Sequence, residues 1–193
     1  MPLKQPAPRK HIHTRDIRCH GYQREDGLWD IEATLVDTKS YSFDNDDRGG
    51  VSAGEPIHGM HIRLTVDEDL VVREVEAAVT ASPFAICGDI AGSYRSLKGL
   101  VIGPGWIKSV TQRLGRIQGC THLTGMLLGP LAVVAYQTVV VPRKDSEQEG
   151  EPLMLNNCHA LASTSPVVER RWPDHYQGGT GPEGGKGKET RSG

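Results

Sequence analysis

A thiol and an imidazole stand two residues apart in Gly119-Cys120-Thr121-His122-Leu123, just ahead of a long apolar segment. Side chains of these types at this spacing can ligate a metal, form a thiolate–imidazole pair, or simply fill a core. At a helix start both can turn toward one centre, and the exposed backbone N–H groups there lower a thiol pKa. Cys158-His159 repeats the chemistry, so a subset of Cys87, Cys120, His122, Cys158 and His159 offers metal ligands, although no CxxC or HExxH spacing accompanies them. His58 opens an apolar strand on the face shared with Met60, Ile62 and Leu64, while His61 points the other way. With a partner, His58 is a general base poised near neutral pH; otherwise it is a core histidine bonded to backbone. Asp37-Thr38-Lys39 closes another strand beside a long polar loop, a place suited to work on a ligand. Arg18, His20, Tyr22, Asp30 and Glu32 fall on polar strand faces and read as a solvated cross-strand network.

The elements that must position these groups change character along the chain. Residues 11–23 and 28–38 flank the hairpin signal Glu25-Asp26-Gly27, and Trp29, Ile31, Ala33 and Leu35 alternate with polar residues. The loop 42–55 is rich in Asp, Gly and Ser and has the size of an active-site lid. Two further strands meet at Asp67-Glu68-Asp69, with Val71, Val75, Ala77 and Val79 sharing a face of the second. After Pro83 the period lengthens. A short helix is expected over 88–98, and another opens at Gly103-Pro104-Gly105 with Trp106, Val110 and Leu114 inward. A third, capped by Thr121, is expected from 122 to 140, bent at Pro130, with Leu123, Leu127, Leu131, Val134 and Thr138 as its buried stripe, and ended by Pro142. Residues 143–152 read as a charged linker, and Asn156-Asn157 as the cap of a last short helix. The fold class is α+β, an antiparallel sheet of four or more strands in the N-terminal half with helices packed on one face. The expected layout is a flexible N-terminus over 1–10, one domain over 11–176, and a disordered Gly-rich tail over 177–193.

Composition excludes several classes. A net charge of −2 without a basic run interleaved with aromatics argues against nucleic acid as a partner. The apolar stretch 127–141 is interrupted by Gly129, Pro130, Gln137 and Thr138 and is too short to span a bilayer. Lys4, Arg9 and Lys10 with Pro6 and Pro8 break any export signal, so a soluble cytoplasmic protein with four reduced cysteines is expected. No dinucleotide fingerprint, P-loop, nucleophile elbow or kinase signature occurs, so any enzyme here is expected to work without an organic cofactor.

Three motifs carry a family resemblance. The run from Tyr22 to Lys39, Gly54-Glu55-Pro56-Ile57-His58 leading to Arg63-Leu64-Thr65-Val66-Asp67, and Gly119-Cys120-Thr121-His122-Leu123 resemble the bacterial domain-of-unknown-function family numbered 2889 over roughly residues 10–175. The resemblance implies only a setting among genes for breakdown of aromatic and other cyclic compounds. More loosely, Cys87-Gly88-Asp89 after a strand and Cys120-Thr121-His122 opening a helix resemble the layout of IscU-type iron–sulfur scaffolds, with more strands ahead of Cys87 and no Cys directly after His122. Two functions are therefore expected. The first is a cofactor-independent lyase acting on a small aromatic, lignin-derived or cyclic substrate with loss of formaldehyde or carbon dioxide. In it His58 is the base, His122 and Cys120 polarise or orient, and Asp37 and Lys39 sit at the rim. The alternative is a carrier or scaffold holding zinc or iron through Cys87, Asp89, Cys120 and His122. A homodimer is left open for either.

Overall fold

The structure is a computed structural model that describes residues 3–144 and 155–178. Contacts separate the chain into two compact units, 1–146 and 147–193, where the sequence suggests one domain over 11–176.

In the first unit four strands follow one another across a single antiparallel sheet. They are β1 (His13–Gln23), β2 (Trp29–Lys39), β3 (Pro56–Val66) and β4 (Val72–Ala81), in the order β1-β2-β3-β4. Period-two alternation builds the inner face: Ile31, Ala33 and Leu35 of β2 and Met60, Ile62 and Leu64 of β3 are all buried. A register shift between Thr65 and Val66 brings Val72, not Val71, into the core from β4. The outer face is polar. Arg63 donates to Glu32 and to Glu76, each at 2.7 Å, and Thr65 donates to Asp30 at 2.6 Å. The cross-strand network thus centres on Arg63 of β3, while His20 and Tyr22 of β1 stack on each other instead.

Helices cover the inner face. Residues Ala85–Leu97 form a 3-10 segment, where a helix over 88–98 is expected from the sequence. Gly88, Gly92, Ser93 and Ser96 weaken α propensity, and its buried residues, Tyr94 and Leu97, repeat at the three-residue period of a 3-10 turn. Helix α1 (Trp106–Leu114) buries Trp106, Val110 and Leu114 as its spacing predicts. The expected single bent helix is two helices, α2 (Thr121–Leu128) and α3 (Pro130–Val139), because Gly129 leaves helical geometry at φ −130° and ψ −95°. Pro130 then serves as the first residue of α3. The break resets the helical phase, so Leu131, Ala135 and Val139 are buried in α3, whereas Val134 and Thr138 are half-buried. Trp106 Nε1 donates to the carbonyl of Leu127 at 2.8 Å, satisfying a group the break would orphan. Cys120, not Thr121, occupies the N-cap of α2, and Pro142 lies within the short turn α4 (Val141–Lys144) instead of ending a helix.

The loop 42–55 is fastened rather than free. Phe43 and Val51 exchange backbone hydrogen bonds, Asn45 donates to the carbonyl of Pro83, and Asp47 accepts from the N–H of Ala85. Arg48 pairs with Glu55 and Val51 is buried.

In the second unit α5 (Pro166–Arg171) is capped by Ser165, whose hydroxyl accepts from the N–H of Val168 at 3.2 Å. Asn156 accepts from the N–H of Ser163, and Cys158 stands at the N-cap of a 3-10 turn at His159–Leu161, where the sequence suggests a helix capped by the Asn pair. Residues 145–152 of the expected linker and 179–193 of the expected tail lie outside the described residues.

One close approach ties α3 to β1. A Cβ on Gly21 would lie 1.9 Å from the hydroxyl of Thr138, so only glycine lets the helix settle on this strand. Gly21→Ala is expected to destabilise the protein by ~1–3 kcal/mol in urea unfolding. Thr138→Ala in the same chain should recover part of that loss, and an additive double mutant would show that the two residues do not press on each other.

Candidate functional site

The inner stripe of β2 ends on a charge. Ile31, Ala33, Leu35 and Asp37 point the same way, and the carboxylate of Asp37 is 1% exposed. Register sets Asp37 opposite Arg15 of β1 on one side and opposite His58 of β3 on the other. A register shift between Asp37 and Thr38 falls beside this row, the kind of irregularity that re-aims a side chain.

Arg15 grips the carboxylate with two parallel bonds, Nε to Oδ1 and a terminal nitrogen to Oδ2, each 2.7 Å. His58 Nδ1 lies 2.9 Å from Oδ2, and His13 Nε2 lies 3.4 Å from Oδ1. A carboxylate can only accept, so Nδ1 of His58 carries a proton, and in the neutral ring Nε2 is left with the lone pair.

His122 arrives from the helical layer. It sits in the first turn of α2, with Nε2 3.6 Å from Asp37 Oδ2 and its ring centroid 3.8 Å from that of His58. Cys120 Sγ lies 3.7 Å from His122 Nδ1. The approach of α2 is fixed from behind by Tyr94, whose buried hydroxyl accepts from the N–H of Cys120 at 2.9 Å and lies 2.9 Å from the hydroxyl of Thr124 and 3.0 Å from the carbonyl of Cys120. Gly119 permits the turn into α2, since a Cβ there would meet the carbonyl oxygen of Leu114 at 2.3 Å.

Charge follows from this geometry. Burial alone would raise the Asp37 carboxyl, but the hydrogen bonds from Arg15 and His58 outweigh it and hold the group at about 2. Burial lowers His122, the positive charges of His58 and Arg15 lower it further, and Asp37 opposes them. The side chains of His58 and His122 are 18% and 19% exposed, so both rings reach solvent above a carboxylate that does not. The arrangement suits proton transfer: one imidazole is oriented by a fixed anion, and a second, biased toward neutrality, lies against it.

The structure brings His58, His122, Asp37 and Cys120 together. Lys39 is half-buried at the end of β2, and no ion pair joins it to the cluster among the described residues. Cys87 and Asp89 do not join: no three of Cys87, Asp89, Cys120 and His122 place their donor atoms within 4.8 Å of one another among the described residues. The residue of the 3-10 segment that reaches Cys120 is Tyr94, and at a rise of about 2.0 Å per residue Cys87 lies roughly 14 Å back along it. Among the described residues the three donors that do lie within 4.8 Å of one another belong to Asp37, His58 and His122. Two imidazoles and a carboxylate suit zinc or non-haem iron, but Arg15 already occupies both oxygens and would repel a dication. A hollow of about 790 Å³ lies elsewhere, lined by Glu32, Arg63, Glu76, Arg95 and Lys98 among others and by no residue of the cluster.

Sequence reasoning misses Arg15, His13 and Tyr94. Arg15 has the parity of Ile17 and Cys19, and Cys19 packs on the core, which is the one signal that turns Arg15 inward.

Residues 13–137 match the family model described as protein of unknown function (DUF2889), a span from the first residue of β1 into α3. No curated protein and no solved structure matches the chain.

The depressed Asp37 carboxyl carries a sign. Its ionised form is stabilised in the folded state, so its contribution is present above about pH 4 and is lost as the pH falls toward about 2. That contribution is on the order of 2 kcal/mol. Urea midpoints followed from pH 5 to pH 2 should therefore fall more steeply for the wild type than for Asp37→Asn, and parallel profiles would count against the pairing.

Proposed function

The chain belongs to the DUF2889 family, and from the geometry of its site we propose that it is a cofactor-independent lyase that breaks a carbon–carbon bond by general acid–base catalysis. The observation that carries this reading is the pair of imidazoles packed against each other, tilted by 33°, above a buried carboxylate already claimed by a guanidinium. With Nδ1 tied to Asp37, His58 presents Nε2 as the base. It takes the proton of a hydroxymethyl arm, the carbon–carbon bonding pair moves onto the adjoining carbon, and formaldehyde departs; in the decarboxylating version an already ionised carboxylate loses carbon dioxide, leaves the pair on the same carbon, and gives His58 no proton to remove. A phenolic ring conjugated with the new carbanion spreads its charge, which is why a lignin-derived or related aromatic compound fits without an organic cofactor. His122, with Cys120 at its Nδ1, returns a proton to that carbon. Lys39 remains a candidate for the rim. The four cysteines are free, which suits a reducing cytoplasmic setting. Among the described residues no helix is long and apolar enough to cross a membrane.

Replacement of either imidazole tests the chemistry. His58→Ala and His122→Ala are each expected to lower kcat/KM for formaldehyde or carbon dioxide release from lignin-derived phenolics by about 10²–10⁴-fold, the span typical of a lost acid–base group. Undiminished turnover in both variants would end the proposal.

A metal carrier is the second reading, favoured by the proximity of Asp37, His58 and His122 donor atoms within 4.8 Å. Elemental analysis of protein purified from zinc- and iron-supplemented medium separates the two. The acid–base reading expects far less than one equivalent of either metal, whereas a stoichiometric metal lost in His58→Ala would establish the carrier.

A further inference from the structure

The two margins of the sheet are not alike. Beside the start of β4 the chain returns as a further rung: Val72 donates to the carbonyl of Leu100 and Gly99 to that of Val72, each at 2.8 Å, and Val71 bridges to Val101. β1 has no such cover; among the described residues it pairs with no strand other than β2. That pairing runs from His13 to Gln23 without a register shift. Ser40 donates to the carbonyl of Ile12 and Arg24 to that of Leu28, so even-numbered residues turn their backbone groups toward β2 and the odd-numbered row from His13 to Gln23 turns its groups outward. The carbonyl of His13 lies 3.0 Å from His11 Nε2, and the rest of the row meets no further strand among the described residues. An open margin of 11 residues with neither proline nor bulge is a template for another strand.

The side chains along this margin are unanswered within the chain. Asp16 and Arg18 stand opposite Val36 and Thr34 of β2, and no ion pair joins either of them to another group among the described residues. Ile12, Ile17 and Tyr22 are 46%, 41% and 48% exposed.

We infer that β1 is a dimerisation edge, on which a second copy of this chain pairs antiparallel about a twofold axis at Ile17 and joins two sheets into one. In that register Ile17 meets itself, Asp16 stands opposite Arg18 of the second copy and Arg18 opposite Asp16 of the second copy, and Ile12 meets Tyr22 of the second copy. The unmatched charges and the exposed apolar side chains find their complements together. An axis at Asp16 or at Arg18 would set like charges face to face. With the axis at Ile17 the outward rows exchange about ten backbone hydrogen bonds. The contact of α3 at Gly21 falls opposite His13 of the second copy, so the two copies of α3 sit toward opposite ends of the shared ribbon. Arg15 belongs to the same strand, so the second copy also steadies the ribbon from which the guanidinium reaches Asp37.

Sedimentation equilibrium of the full chain under reducing conditions tests the edge without reference to turnover. The wild type is expected to approach the mass of two chains as its concentration rises. Asp16→Arg and Arg18→Asp each oppose like charges on both sides of the axis and should weaken the dimer at least about tenfold, with circular dichroism showing that each variant is folded. An equimolar mixture of the two variants should pair again, because the doubly basic strand of one then meets the doubly acidic strand of the other. Ile17→Cys should form a disulfide between two copies on mild oxidation, located at position 17 by peptide mapping, since residues directly opposed in a hydrogen-bonded pair lie about 5.5 Å apart at Cα. A wild type that stays monomeric at every concentration, a dimer indifferent to both charge reversals, a mixture of folded variants that does not pair, or an Ile17→Cys protein that never links through position 17 would overturn the inference.

Discussion

The pairing of Arg15 with the buried carboxylate of Asp37 is the constraint on which the rest of the site depends. A carboxylate in the apolar row after Ile31, Ala33 and Leu35 is costly unless its charge is met and its lone pairs are filled. The guanidinium meets both needs at once, because its planar fork matches the two oxygens. Once Asp37 is held in this way, it becomes a fixed anion against which His58 must choose its tautomer. The hydrogen bond orients the ring and selects which nitrogen is left free.

The same economy extends into the helical layer. Nothing in α2 itself aims His122; its direction comes from where the helix begins. Tyr94 clasps the backbone of Cys120, Gly119 lets the chain pass the carbonyl of Leu114, and Trp106 ties off the far end of α2 at Leu127. Core residues around the site therefore carry polar atoms with assigned partners, and substitutions such as Tyr94→Phe would act on geometry before they acted on bulk.

Much of the fold was legible in the sequence because it rests on local periodicity. The alternation in β2 and β3, the hairpin at Glu25-Asp26-Gly27 and the four-residue spacing in α1 each encode burial directly. Where local signals compete, legibility fails: glycines and serines turned an expected α-helix into a 3-10 segment, and Gly129 rather than Pro130 set the break between α2 and α3. The site was half legible. His58, His122, Cys120 and Asp37 stand out by type and position, but their meeting is a tertiary fact. Arg15 was hidden because β1 offers only Ile17 and Cys19 as apolar residues of its parity and is exposed along nearly its whole length.

That exposure has a consequence for how the protein fails. Among the described residues β1 is an outermost strand that pairs with β2 alone, yet it delivers the guanidinium that neutralises the centre. Strands at a sheet margin open by small, frequent excursions that cost far less than melting the interior. The fold therefore places its electrostatic keystone on a strand at the margin of the sheet, and a partial detachment of that strand disarms the centre while the hydrophobic body stays intact.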